Sequence, residues 1–320
     1  MIDVTALGEV LIDFTPAGTS ENGQVQFERN PGGAPANVLA ALTKLGRTAA
    51  FIGKVGDDQF GHYLREVLAN HHIRTEGCVL SRQYHTTLAF VHLAGDGDRS
   101  FTFYRKPGAD MMLEQQEVKT ELIDQSSIFH FGSLSMTDEP AYTATLSALK
   151  YARQKNVLIS YDPNLRPALW SDMEQARERI LNGFEFADLV KISEEELAFI
   201  TGMEELEAGT AWLREQFDTK LILVTLGAAG CFYRLGDRTG HVSGFQVKAV
   251  DTTGAGDSFL GGLLLGILEH GGLEDLEESQ LQANIRFANA VGALVTTQMG
   301  AIPAMPTRQE VLDFMQQADQ

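Results

Sequence analysis

The sequence predicts an α/β fold: a mostly parallel sheet covered by helices, with a small second sheet beside it. Three observations carry this. Short apolar runs recur along the chain at residues 4–14 (VTALGEVLIDF), 49–56 (AAFIGKVG), 128–134 (IFHFGSL), 156–162 (NVLISYD), 189–193 (LVKIS) and 220–227 (KLILVTLG). Runs that are apolar on both faces suit parallel strands covered on both sides. Helical patterns fall between them, notably residues 32–46 (GGAPANVLAALTKLG), which stop at a glycine, and 139–155 (EPAYTATLSALKYARQK). Two segments, residues 15–30 and 86–105, break the alternation and read as antiparallel strands, the second a hairpin turning at AGDGD (residues 94–98). With no internal repeat or linker, one domain over residues 1–320 is expected, bearing a lid from about 14–31 and 86–107.

Most of these strands end in glycine or polar residues, and the carboxyl ends of strands are where open α/β sheets bind ligands. Composition narrows the ligand. A formal charge of −18 and a pI near 4.8 argue against a nucleic-acid partner, whose phosphates are held by Lys and Arg. The longest apolar stretch, residues 259–268, is short and broken by Gly261, Gly262 and Gly266, so no membrane span is expected. Cys78 and Cys231 form no CxxC or Cys/His cluster, and a reduced, cytoplasmic setting fits them. His71 and His72 are adjacent and lack the i, i+4 spacing of paired metal ligands on a helix.

The densest motif is VDTTGAGDSFLGGLLLGIL, residues 250–268. It is neither a P-loop, lacking GxxxxGK[ST], nor GxGxxG, since Phe259 takes the last glycine position. Small residues 254–256 turning into a helix near Asp257 would let backbone amides and the helix dipole meet an anion. A carboxylate beside that anion has two readings. Asp257 takes the proton from a hydroxyl that attacks a phosphoryl group, or it caps the helix. The residues alone leave the two balanced.

DTTGAGDSFLGGLL resembles the C-terminal signature of the ribokinase-like (PfkB-type) carbohydrate kinases. NPGGAPANVLAALTKLG with FIGKVGDDQFG resembles the N-terminal one. The similarity runs from GEVLIDF to ANAVGALVTTQMGA, essentially the whole chain. It implies a three-layer α/β/α fold with a β lid, and phosphoryl transfer from ATP, with Mg2+, to a sugar hydroxyl. It tips Asp257 to general base and makes the amides of Gly254, Ala255, Gly256 and Asp257 an anion hole. Asp251 and Thr253 match positions that hold a potassium-like cation in many members; the alternative is a plain loop turn.

On the sugar side, Asp13 falls at a strand end beside the lid, where a carboxylate accepts hydrogen bonds from hydroxyls, as this position does in the resembling kinases. Gly32 and Gly33 allow close backbone approach, and Asn37 adds a two-sided hydrogen-bonder, or else an inward polar residue satisfied by backbone. Arg166 suits an oxyanion or a surface salt bridge. Phe103, Tyr104 and Arg105 come from the lid hairpin. On the nucleotide side, the resemblance assigns magnesium, through water, to Glu196, with Ser193 where the family pattern has Asn, and ATP contacts to Thr225, Gly227, Gly254, Gly256 and Asn289. The segments FTFYRKPGADMML and DPNLRPALW are most similar to fructokinases, which implies fructose as acceptor. A 2-keto-3-deoxygluconate kinase, in which an arginine meets the acid sugar, is the alternative, and a non-catalytic sugar or nucleotide sensor a third. A homodimer through the exposed lid sheet is expected.

Overall fold

In the computed structural model, which describes residues 1–93 and 99–318, thirteen strands fall into two sheets. In chain order they are β1 (Ile2–Leu7), β2 (Leu11–Thr19), β3 (Val25–Gly32), β4 (Ala49–Gly56), β5 (Ile73–Ser81), β6 (Leu88–Leu93), β7 (Arg99–Tyr104), β8 (Ser126–Gly132), β9 (Leu158–Asp162), β10 (Leu189–Ser193), β11 (Leu221–Thr225), β12 (Gly230–Leu235) and β13 (Arg238–Ser243). The large sheet has the order β13-β12-β11-β10-β9-β8-β1-β4-β5. It is parallel from β5 to β11, and β12 and β13 add an antiparallel edge.

Two apolar clusters cover the faces of this sheet. One joins the helices Ala34–Lys44 and Ala255–His270 to β1 and β4 through Val38, Leu42, Leu260 and Leu264. The other packs the helices Ala141–Gln154 and Met173–Phe184 on Phe129, Phe131 and Tyr161. Burial on both faces is why these strands read as continuous apolar runs, with period 2 absent.

The run at residues 4–14 is not one strand. It divides at Gly8 between β1 of the large sheet and β2 of the small one. At Gly8 the chain passes so near the helix Ala34–Lys44 that a Cβ there would lie 2.6 Å from Pro35 Cγ. Hydropathy along a run is blind to this change of sheet, because β2 begins as buried as β1 ends.

The small sheet, order β3-β2-β6-β7, is built from the two segments that broke the alternation. The antiparallel pair β6/β7 forms the expected hairpin; its turn, AGDGD, lies outside the described residues. Register places Asp13 opposite Asn30 and Ala89, and Ala89 opposite Phe103, so these four share one face. Phe14, Arg29 and Phe90 share the other, where Phe14 stacks on Phe90 at 4.9 Å and Phe27 and Tyr104 meet Phe90 edge-on. Among the described residues no helix is long and apolar enough to cross a membrane.

Candidate active site

The opening motif forms a pinned turn. Asp251 is buried; its Oδ1 accepts the amide and hydroxyl of Thr253 (3.0 and 2.7 Å) and its Oδ2 the amide of Gly300 (3.0 Å). Gly254 follows at φ 77°, a left-handed conformation that strains any residue with a Cβ, and a Cβ there would stand 2.6 Å from that of Ala301. The helix Ala255–His270 begins at once, so the cap is Gly254. Asp257 is the third helical residue and makes no cap bond, which removes the capping reading: its carboxylate is one turn too late. It instead accepts a 2.8 Å hydrogen bond from Asn37 Nδ2. Burial, then the nearby Asp162, push the Asp257 carboxyl up to about 6, against the pull of Lys191, Asn37 and Arg166. A carboxylate so placed is still largely ionised at neutral pH and open to protonation just below it. Of the four expected anion-hole amides, that of Ala255 is spent on the carbonyl of Thr252 (3.3 Å).

Asp257 stands at the inner end of a cavity of about 350 Å³ that also exposes Asp13, Gly33, Asn37, Phe103 and Arg166. The side-chain Oδ1 of Asn37 is buried without a partner among the described residues, which leaves an acceptor for a ligand hydroxyl. Gly32 abuts the Asp13 carboxylate, and Gly33, at φ 111°, lies so close to Glu9 that a Cβ would be 2.5 Å from its carbonyl oxygen. Desolvation raises Asp13 to about 7, with Arg166 opposing and Asp251 reinforcing. Arg166 is exposed on the rim, its guanidinium bonding the carbonyl of Leu165 at 3.2 Å.

Arg105 is a correction. It does not line this cavity; its guanidinium is buried in contacts to Asp110 Oδ2 (2.7 Å), Thr137 Oγ1 (3.0 Å) and the Leu134 carbonyl (2.8 Å). An acid five residues downstream has captured the arginine that a hairpin-end position would have offered to substrate.

A second cavity, about 300 Å³, shares Thr252, Ala255 and Gly256 with the first and is otherwise largely apolar. Thr225, Gly227 and Asn289 all line it, but the Asn289 amide donates to the carbonyls of Val242 and Ser243 (3.2 and 3.1 Å), clamping the end of β13 to the wall. Ser193 lines neither cavity: it caps the helix Glu194–Thr201, accepting from the Glu196 amide while Glu196 accepts from its own. The other Glu196 oxygen accepts the Leu165 amide at 2.6 Å, so this buried carboxylate ties β10 to the turn after β9. The Glu194 and Glu195 of the same run are exposed at the helix start. A larger cavity, about 510 Å³, opens at the opposite ends of the strands beside Arg153 and Lys220 and holds none of the expected residues.

Two charged residues of the cavity wall escaped the sequence reading. Lys191, on β10, is buried in the cavity wall with its Nζ 2.7 Å from Asp162 Oδ2 at the end of β9. Glu9 is buried on the cavity side of the Gly8 crossing, one oxygen accepting the Ala34 amide (2.9 Å) and the other without a partner; burial raises it to about 7. The signal was present in LVKIS and GEVLID: a charge inside an otherwise apolar strand run must be paired or used.

The family model of the pfkB family carbohydrate kinases matches residues 1–308. Fructokinase-1 of Zea mays is 47% identical over 318 residues, 98% of each chain. The crystal structure of a fructokinase with bound ATP from Xylella fastidiosa superposes with a TM-score of 0.90 at 32% identity, covering 99% of each chain. That of a fructokinase double mutant from Vibrio cholerae O395, in a fructose, ADP and potassium ion bound form, gives 0.88 at 32% identity over 98% of each chain. The chain belongs to the pfkB family of carbohydrate kinases and is an ATP-dependent sugar kinase.

Proposed function

We propose that this kinase transfers the γ-phosphoryl group of ATP to the primary hydroxyl of fructose, forming fructose 6-phosphate. The observation that carries the reading is Asp257, held by Asn37 in the first helical turn where the two cavities meet. Fructose occupies the cavity of Asp13 and Phe103, and ATP the one of Thr225 and Asn289. Asp257 accepts the hydroxyl proton, and the amides of the 254–257 turn with the helix dipole stabilise the charge on the group in transit. The similarity to fructokinases, one of them holding fructose and ADP, supports the acceptor.

Among the described residues no group of three or more His, Cys, Asp or Glu could hold a metal outright. The site therefore fits a magnesium ion that arrives on the nucleotide phosphates and keeps its waters, with Glu196 reached through water. Magnesium, when bound, neutralises phosphate charge. A monovalent cation would sit at the Asp251 and Thr253 turn, beside a buried carboxylate that already organises the amides of Thr253 and Gly300. The small sheet, residues 14–31 and 86–107, acts as the lid, and its aromatic outer face joins a second subunit. Cys78 and Cys231, free and buried, suit a cytoplasmic enzyme.

The acid-sugar reading loses its support with Arg105, whose donors are committed to Asp110, Thr137 and Leu134. ATP consumption measured against a panel of fructose, other hexoses and 2-keto-3-deoxygluconate, with the product identified, tests the proposal. Turnover confined to the acid sugar, or none with any sugar, rejects it; the second result would revive a sensor.

A further inference from the structure

Parallel strands covered on both faces have little tolerance for charge, yet Lys191 lies in the middle layer with its side chain buried. Its ammonium makes one hydrogen bond among the described residues, to Asp162, which leaves two of its three donors for another acceptor. Burial works against the charge, but Asp162, Glu196 and Asp257 together raise Lys191 above the usual lysine range, so it is a cation at neutral pH. A Cβ on Gly256 would stand 3.0 Å from Nζ. The glycine thus leaves the ammonium against the turn whose amides face the phosphoryl group, in the wall that also carries Asp257.

Resting on the fructose kinase reading above, we propose that Lys191 is a catalytic residue whose ammonium contacts the phosphoryl group during transfer, with Asp162 keeping it at the strand end. In that step the sugar oxygen forms its bond to the γ-phosphorus while the bond from phosphorus to the bridging oxygen breaks. The electron pair leaves with the β-phosphate of ADP, the hydroxyl proton goes to Asp257, and Lys191 keeps its own protons throughout. A compact ammonium supplies charge to oxygens that change position, a task for which the fixed amides of the turn are less suited.

The test compares wild type, Lys191→Met and the double variant Lys191→Met/Asp162→Asn, which removes both charges so that no lone buried carboxylate unfolds the protein. Binding of ADP and of a non-hydrolysable ATP analogue is measured by calorimetry, and kcat with fructose in parallel. Loss of one such donor predicts a kcat lower by roughly 10²–10³-fold with the fructose KM within about threefold. The triphosphate analogue should lose about tenfold in affinity while ADP stays within about twofold, since only the third phosphate meets the ammonium. A folded double variant with kcat within about threefold of wild type, or an unchanged preference for triphosphate over ADP, overturns the assignment. If wild type fails to phosphorylate fructose the acceptor reading falls, while the nucleotide comparison still decides Lys191.

Discussion

Every residue of β4 is buried, whereas the first five residues of β3 are exposed. The large sheet fixes its strands between two apolar clusters, and it carries the buried pair of Lys191 and Asp162 beside the turn that leads to Asp257. The small sheet has one face on the cavity beside Asp257, with Asp13 and Phe103, and the other on aromatic rings that stay partly in solvent. The contrast teaches a division of labour. On the function proposed above, groups that must not move by an ångström would be built on the buried scaffold, and groups that admit and release a sugar on the sheet with less to hold it.

If that division is real, variants on the scaffold should act on turnover and variants on the small sheet on affinity or assembly. The largest effect is expected of Asp257→Asn, which keeps the Asn37 contact but cannot take the proton: kcat should fall roughly 10²–10⁴-fold with fructose binding by calorimetry nearly unchanged. Near-normal turnover would remove Asp257 from the base role. Gly254→Ala places a Cβ against Ala301 at a left-handed φ, a strain of about 1–3 kcal/mol that should misplace the turn and lower kcat about 10–100-fold. A change confined to KM would show that the turn is not part of the rigid set.

The pH profile separates the two regions in one experiment. Both carboxylates work ionised, Asp13 with its carboxyl at about 7 and Asp257 at about 6. As pH falls, kcat/KM should first decline near 7 and steepen below 6, losing about tenfold per unit for each group protonated. In Asp13→Asn the upper break should vanish while the lower one stays, and the fructose KM should rise about tenfold with kcat within about threefold. Loss of the lower break instead would merge the two regions into one catalytic unit. The smallest kinetic effect belongs to the outer face: Phe27→Ser with Tyr104→Ser, residues 40% and 65% exposed, should leave kcat within about twofold and shift sedimentation from dimer to monomer. A wild-type mass of one chain contradicts the dimer outright.

Much of this was legible because it depends on local pattern. The apolar runs become strands β4, β8, β9, β10 and β11, and the two segments outside the alternation become the small sheet. A glycine-rich turn entering an apolar helix announces an anion site by its own geometry, and the helix does begin there, at Ala255. The split at Gly8 was not legible, since the close approach of Pro35 there comes from another element. Nor were the partners of Ser193 and Glu196, which bond each other and, through Glu196, the Leu165 amide.

The sequence by itself determined the fold class, the position of the glycine-rich turn into the helix and the presence of an acid beside it, since each follows from residue type and spacing along a short stretch. Only the tertiary structure decided what the charges do. Arg105 faces Asp110 instead of the cavity, Asp257 is buried in contact with Asn37, 220 residues away in the chain, and Lys191 meets Asp162 across neighbouring strands. A buried charge is governed by its nearest opposite charge and its loss of water, and both are set by elements that the chain brings together only on folding.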